Sequence, residues 1–414
     1  MFLPLALLIC HCAHAQTTLT WVTESSVNFT PRAGLASAVV NGKIYVMGGA
    51  NATSALNTLE VYDPATNSWS TPTTTGTFTP RSGLACAVVN NKIYAIGGAN
   101  DTAFLNTLEV FDPATNTWST PVTTGTFPPC SQMTASVVNG MIYVIGGYNS
   151  NTSTFNTLEI FDPATNSWST PATTGTFNSR IDEHASVVID DKIYVVGGAG
   201  TTGFDTLEVF DPATNNWSTP AATFTDDIVS TFNLTAAAVN GKIYKIGGQY
   251  GDHLGVTPLA VFDPTTNTWS TPATNGTYAA SEGLTSAVVN GTIYVMGGDN
   301  DTAYLNTNEA LQVGTNAVAE SPDALPPSAH LQCYPNPIAG EATLSFTLPS
   351  RADVSVKIYD ALGRLVSTLA AGDLSAGTHS MRWEPDELPM GSYICALDSR
   401  QLGIFERQVL VVMK

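Results

Sequence analysis

The sequence predicts an all-β protein: a propeller of repeated four-stranded antiparallel sheets, followed by a small β-sandwich. Three observations predict it. Glycine pairs recur at Gly48-Gly49, Gly97-Gly98, Gly146-Gly147, Gly197-Gly198, Gly247-Gly248 and Gly297-Gly298, spaced 49, 49, 51, 50 and 50 residues apart. A fixed period near 50 residues means units that bury their cores only against their neighbours. Each unit reads as β-rich runs separated by turn residues, with no helical periodicity. The last 84 residues abandon the period and show short β runs between Gly and Pro turns, the pattern of a small sandwich.

The first unit illustrates all six. Leu35 to Val40 is an apolar run mixed with small residues, and Asn41-Gly42 follows it. Lys43 to Met47 is a second β-rich run, so Asn41-Gly42 is read as the tight type I′ turn of a hairpin. A third run, Thr58 to Tyr62, ends in Asp63-Pro64-Ala65-Thr66-Asn67, which combines an Asx-capable residue, a fixed proline φ and a second Asn. Trp69 then opens a short fourth strand. The first run of each unit is rich in Ala and Ser, whereas Tyr45, Tyr62 and Trp69 are bulky. Small residues suit strands crowded at an axis, and large ones fill the widening space outside. That gradient favours a propeller over a flat solenoid. The glycine pairs are read as structural, because no GxGxxG spacing or following helix accompanies them.

The di-glycine after an IYV strand, the VFDPATNxW block and the period together resemble Kelch repeats. Six copies carry the pattern over residues 16–314, which implies a six-bladed β-propeller with a central channel. Only five block tryptophans exist, Trp69, Trp118, Trp168, Trp217 and Trp269, and the sixth copy stops after Val313 without one. Thr18 to Val22 offers the missing strand, so Trp21 is expected to fill the sixth block position and close the ring, removing an open edge.

Residues 1–15 form an apolar run ending in Ala13-His14-Ala15, an A-x-A-like cleavage pattern, and read as a signal peptide. A lipobox-like reading ending at Cys10 is the weaker alternative, since Leu7-Leu8-Ile9 lacks the expected small residues. No transmembrane span is expected in the rest. The remaining cysteines, Cys86, Cys130, Cys333 and Cys395, are too sparse for a disulfide framework. Cys86 reads as a small buried hydrophobe, and Cys333 and Cys395 are candidates to pair after export. The formal charge is −19, and residues 16–330 hold 25 acidic against 8 basic residues. Such a surface repels nucleic acid and anionic membranes.

Residues 315–330, with Ser-Pro-Asp and Pro326-Pro327, read as a linker. In residues 331–414, YPNP at Tyr334 to Pro337, VKIYDALGRLV at Val356 to Val366 and GSYICAL at Gly391 to Leu397 resemble the C-terminal sorting domain of the type IX secretion system. This resemblance implies engagement of that machinery and delivery to the outside or outer surface of a Bacteroidetes-like bacterium. An ordinary Ig-like binding module is the alternative.

The variable loops and the links between repeats share one face. Alignment there places Arg32, Arg81, Cys130, Ile181, Thr231 and Ser281 at equivalent positions around the channel, with Asp182, Glu183, Phe232, Asn233 and Glu282 next to them. Arg32, Arg81, Asp182, Glu183, Asn233 and Glu282 are therefore the candidate ligand-binding set, arginines supplying planar donors and carboxylates accepting from hydroxyls. A solvated rim of mixed charge has the same composition. His184 replaces a repeat hydrophobe beside Asp182 and Glu183, so His184, Glu183 and Glu282 are the candidate catalytic residues. No zinc-ligand spacing and no other cofactor motif is evident. Calcium is a minor option at Asn51, Asn100, Asn149 and Asp299 to Asp301, where Asx turns explain the same residues. Blade five departs most, at Lys245 and Gln249 to His253.

The leading functional reading is a secreted or cell-surface interaction protein binding glycan or protein at the variable face. Alternatives are an extracellular carbohydrate-active enzyme on the same scaffold and a structural surface-layer protein.

Overall fold

The computed structural model describes residues 19–313, except 150–152, 155, 178–183, 199–206, 225–230, 251–252, 255–258 and 280, and residues 331–413, except 335, 337, 349–350, 361–363, 376, 386–387 and 400–403. The chain divides into two compact units, Met1–Asn316 and Ala317–Lys414. The expected signal peptide and linker lie outside the described residues.

Among the described residues of the first unit, six sheets repeat one plan. In the first, β2 (Ala33–Val40), β3 (Lys43–Ala50), β4 (Leu59–Asp63) and β5 (Ser68–Ser70) form an antiparallel meander. Asn41 and Gly42 have φ of 52° and 73°, the two left-handed residues that a type I′ hairpin turn requires. Asn90-Asn91 and Asp190-Asp191 adopt the same conformation without glycine, which Asn and Asp tolerate best. At the opposite turn, Asp63 Oδ1 accepts from the Ala65 N–H at 3.0 Å, while Lys43 pairs with Asp63 at 2.8 Å.

The strand β1 (Leu19–Thr23) is not part of the first sheet. It pairs antiparallel with Asn308–Gln312, placing Trp21 opposite Leu311. Each inner strand lies against that of the next repeat, and Thr285–Val289 lies against β2.

The links between repeats repeat as closely as the sheets. Phe29, Phe78, Phe127 and Phe177 stack on Trp69, Trp118, Trp168 and Trp217, with centroids 4.2, 4.2, 4.6 and 4.4 Å apart. Tyr278 stacks on Trp21 at 4.8 Å. Such pairs add about 0.5–1.5 kcal/mol beyond their buried area. The link backbone also adds a short parallel stretch to the next sheet's outer strand, as at Thr75 beside Thr117 and Thr274 beside Leu19, which covers edges that would otherwise be open.

The glycine pair serves the seams. Gly49 N–H donates to Arg81 O at 2.9 Å, and a Cβ on Gly48 would lie 2.7 Å from that oxygen with φ at +64°. The equivalent bond from Gly298 reaches Arg32 O, joining the sixth repeat to the first.

The second unit has a three-stranded sheet, Gln332–Tyr334, Ala342–Leu348 and Gly377–Trp383, and a five-stranded sheet containing Ala352–Asp360, Leu365–Leu374, Gly391–Ser399 and Ile404–Met413. Both contribute to a core of Leu344, Phe346, Val356, Ile358, Leu397 and Leu410. Cys333 and Cys395 are buried there and form no disulfide, against the expected pairing.

Candidate functional site

The inner strands of all six repeats line a cavity of about 170 Å3. At its rim the backbone is linked sideways from repeat to repeat. Gly283 N–H donates to Asn233 O, Gly34 to Gly283 O, Gly83 to Gly34 O and Gln132 to Gly83 O, at 2.7–2.9 Å. All five rim residues are left-handed, with φ between 56° and 63°. Deeper in, hydroxyls cross the seams: Ser37 meets Thr285 at 2.8 Å, Thr235 meets Ser286 at 2.6 Å, and Ser186 meets both Thr134 and Ser136 at 2.7 Å.

The expectation that Arg32 and Arg81 offer donors at the channel mouth is corrected. Both are 0% exposed. Arg32 Nη1 donates to Glu60 Oε2, and Arg81 Nη2 donates to Glu109 Oε2 at 2.6 Å. Arg81 also donates to Gly97 O at 2.8 Å and to Thr107 Oγ1 at 3.0 Å. Thr30 and Thr79 hydroxyls complete the two carboxylates. Burial lowers both guanidinium pKa values and the paired glutamate opposes this, so each arginine is held by its carboxylate. Each also caps its link aromatic, Arg32 over Phe29 at 4.9 Å and Arg81 over Phe78 at 5.4 Å. The backbone of each arginine bonds the preceding repeat while its side chain bonds its own, so the pair is a seam clamp. Alignment along the strand could not reveal that Glu60 and Glu109, two strands away, point at them.

Repeats three and six keep the glutamate without the arginine. Cys130 and Ser281 stand at the arginine position, both buried, and burial pushes Glu159 and Glu309 above the usual carboxylate range. Burial also pushes the Cys130 and Cys86 thiols up to about 12, which makes both poor nucleophiles.

His184 is 5% exposed and its Nε2 lies 3.0 Å from Ile145 O. A carbonyl only accepts, so Nε2 carries the proton in that contact. A Cβ on Gly146 would lie 2.6 Å from His184 Cε1, just as one on Gly197 would lie 2.1 Å from Leu234 Cδ2. His184 therefore fills the seam that leucine fills elsewhere, with Nε2 committed to the neighbouring repeat, and this placement corrects its candidacy as a base acting through Nε2. Asp182 and Glu183 lie outside the described residues. Asn233 and Glu282 are brought together: Asn233 Nδ2 donates to Glu282 Oε2 at 2.9 Å across the fifth seam.

With this geometry in view, the KLHDC2/KLHL20/DRC7 Kelch-repeats domain family matches residues 9–133 and 132–320, well over half of the chain. The chain belongs to the Kelch-repeat family. In this Kelch-repeat protein, residues 336–400 match the FlgD Ig-like domain. No curated protein matches the chain.

The Kelch loops proposed for calcium use their oxygens internally. Asn100 Oδ1 accepts from the Thr102 N–H, the Thr102 hydroxyl and the Ala103 N–H at 2.8–3.0 Å, and Asn51 and Asn300 repeat this arrangement. These are Asx turns. Among the described residues, no group of three or more His, Cys, Asp or Glu side chains is placed to hold a metal ion.

Gln132 was not in the sequence-derived set. It occupies the rim position that is glycine in repeats one, two and six, and that substitution within a Kelch repeat was the available signal.

Proposed function

We propose that this Kelch-repeat protein is a secreted or cell-surface interaction module that binds glycan or protein on the face bearing the rim. The observation that carries this reading is the asymmetry of that face. The rim position carries an amide side chain in repeats three and five, Gln132 and Asn233, the latter bonded to Glu282, while Gly34, Gly83 and Gly283 leave it bare. A scaffold alone needs no such difference between repeats.

The scaffold for this face is a closed six-bladed ring over residues 16–314, in which β1 supplies the outer strand of the last blade. Its support is the pairing of Trp21 with Leu311, the Tyr278 stack, and the Gly298 bond to Arg32. Residues 331–414, linked through 315–330, act as the type IX sorting domain, and residues 1–15 as the signal peptide. The sorting reading is supported by the YPNP, VKIYDALGRLV and GSYICAL blocks on an Ig-like unit, and the signal reading by the apolar run ending in Ala13-His14-Ala15. On this reading the protein works at the exterior or outer surface of a Bacteroidetes-like bacterium.

The test is direct. The full chain, immobilised, is presented with an array of neutral and acidic oligosaccharides and with surface proteins of the host. Saturable binding competed by soluble ligand supports the reading, and absence of saturable binding in both arms refutes it. Loss of residues 331–414 should leave the chain in the periplasm of a host carrying the type IX system. Export of the truncated chain at the normal level would end the sorting assignment.

A further inference from the structure

We propose that the open edge of the first sheet, at Asn67, Ser68 and Trp69, is a docking site for an extended segment of a partner protein, added to β5 as a parallel strand. The site lies on the outermost strand rather than the innermost, and it stands whether or not the rim binds a ligand.

The sister sheets show what such an edge holds. Thr75, Thr124 and Thr174, in the links between repeats, run parallel to the outer strands of the second, third and fourth sheets, beside Thr117, Ser167 and Asn216. The Thr75 N–H donates to Asn116 O at 3.0 Å, and the Trp118 N–H donates to Thr75 O at 2.8 Å. Thr124 makes the same two bonds with Asn166 and Trp168. Thr223–Phe224 and Thr274–Asn275 lie against the fifth and sixth outer strands in the same sense. The first sheet differs. No strand pairs with the outer side of β5, and among the described residues neither the Trp69 N–H nor the Asn67 carbonyl makes the bond that Trp118 and Asn116 make. Exposure follows the same division: Ser68 is exposed, whereas Thr117, Ser167, Asn216 and Thr268 are half-buried.

The link into the first repeat is built to stay inside the edge. Phe29 follows Trp21 by eight residues, whereas Phe78, Phe127 and Phe177 follow Trp69, Trp118 and Trp168 by nine. The Ser25 N–H donates to Asn67 Oδ1 at 2.8 Å, and Ser25 O accepts from Trp69 Nε1 at 2.7 Å and from Asn308 Nδ2 at 3.1 Å. Asn308 is 1% exposed and stands where the other five repeats have Leu59, Leu108, Leu158, Leu207 and Leu259. A buried amide in a leucine position is costly unless it is bonded, and its bond holds the link away from the edge. Edges are commonly blunted by lysine, proline or a bulge. Ser68-Trp69-Ser70 has none of these, and its shortness limits the occupant to a few residues.

The sister links also specify the occupant's chemistry. Thr75, Thr124, Thr174 and Asn275 are each followed by glycine, and all four glycines are left-handed. A Cβ on Gly76, Gly125, Gly175 or Gly276 would lie 2.0–2.3 Å from the carbonyl oxygen of Trp118, Trp168, Trp217 or Trp21. Thr75 Oγ1 lies 3.0 Å from Thr117 Oγ1, a contact that Ser68 can repeat. The stacking place on Trp69 is filled by Phe29, so the occupant needs no aromatic residue. It is an extended Thr-Gly or Asn-Gly stretch held by its backbone, the strand-addition mode of peptide recognition.

The experiment uses TROSY NMR of the full chain. The Trp69 amide should exchange with solvent roughly tenfold or more faster than the Trp118 and Trp168 amides. The peptide Ac-Thr-Thr-Thr-Gly-Thr-NH2, the sequence of residues 73–77, should at millimolar concentration shift the Trp69 and Ser70 amides saturably and slow exchange at Trp69. The same peptide with alanine in place of glycine should do neither. Replacing residues 22–28 by the sequence of residues 70–77 restores the nine-residue spacing, and should protect Trp69 as Trp118 is protected and abolish peptide binding. A Trp69 amide as slow as Trp118 in the unaltered chain, no saturable shift with the glycine peptide, equal binding of the alanine peptide, or binding that survives the link replacement would each overturn the proposal. Protection of Trp69 that grows with protein concentration would give the edge to a second copy of this chain and overturn the partner assignment.

Discussion

Repeats one and two differ from repeats three and five at their innermost strand, although the outer strands are nearly the same sequence. In the first pair, Arg32 and Arg81 are sealed against Glu60 and Glu109, and the rim residues are Gly34 and Gly83. In the second pair, Cys130 and Thr231 replace the arginines, and Gln132 and Asn233 stand at the rim. Repeats one and two are locked by ion pairs and carry glycine at the rim position. Repeats three and five have no such clamp and carry polar side chains there. Near-identity in the outer strands reflects demands every repeat shares: the Asp63-type turn, the tryptophan stack and the covered edge. Divergence at the inner strand shows where the repeats stop being interchangeable.

The strongest way to break this comparison is to remove what makes the last repeat equivalent to the others. Deleting residues 17–23 takes away Trp21 and an entire strand, and should abolish a single cooperative unfolding transition of the first unit in urea. Trp21→Ala alone should cost about 3–5 kcal/mol, the same as Trp118→Ala, because both stack under a link aromatic. A much smaller loss at Trp21 would show that the sixth sheet is not built like the second.

Next in size is the clamp. Arg81→Ala leaves Glu109 buried without its charge partner and should cost about 3–5 kcal/mol. Thr231→Ala, at the equivalent position of repeat five, should cost about 1 kcal/mol or less, since the Thr231 hydroxyl makes no hydrogen bond among the described residues. Equal losses measured by urea denaturation would erase the distinction between the two pairs of repeats.

The smallest effect concerns the glutamates, and its sign depends on pH. Burial raises the Glu309 pKa in the folded state, so its ionisation opposes folding once pH exceeds the unfolded value of about 4.3. Glu309→Gln should therefore raise the melting temperature at pH 7, and the gain should vanish as pH falls below about 4. Glu109→Gln should lower it at pH 7, because Arg81 then loses its counter-charge. Scanning calorimetry of both variants at pH 7 and pH 4 separates the two, and a gain from Glu309→Gln that persisted at pH 4 would contradict the burial argument.

Most of the architecture was legible because its signals are local and repeated. Asn41-Gly42 specifies its own turn, and Asp63 to Asn67 specifies the next. The C-terminal unit was legible only in part: Ala342–Leu348 and Ala352–Asp360 lie close to the expected strands, while Leu365–Leu374, Gly377–Trp383 and Ile404–Met413 lack a clean alternation and went unread. The site was less legible still. Repeat alignment, which carries position around an axis, sets Asn233 and Glu282 at neighbouring positions, and the two are joined by a hydrogen bond. That alignment says nothing of direction, so Arg32 and Arg81 were placed at the mouth when their side chains turn inward. The aromatic links were a further signal in the sequence: Phe29, Phe78, Phe127 and Tyr278 stand six residues before Leu35, Leu84, Met133 and Leu284, and Phe177 seven before His184.

Sequence by itself determined the repeat unit, its turns and the supply of a spare tryptophan near the N-terminus, because each depends on residues adjacent in the chain or on a count. Tertiary structure alone decided which charges are sealed and which reach the surface. An arginine's partner is chosen by whatever carboxylate the fold brings within hydrogen-bond distance, and Glu109 reaches Arg81 from 28 residues away.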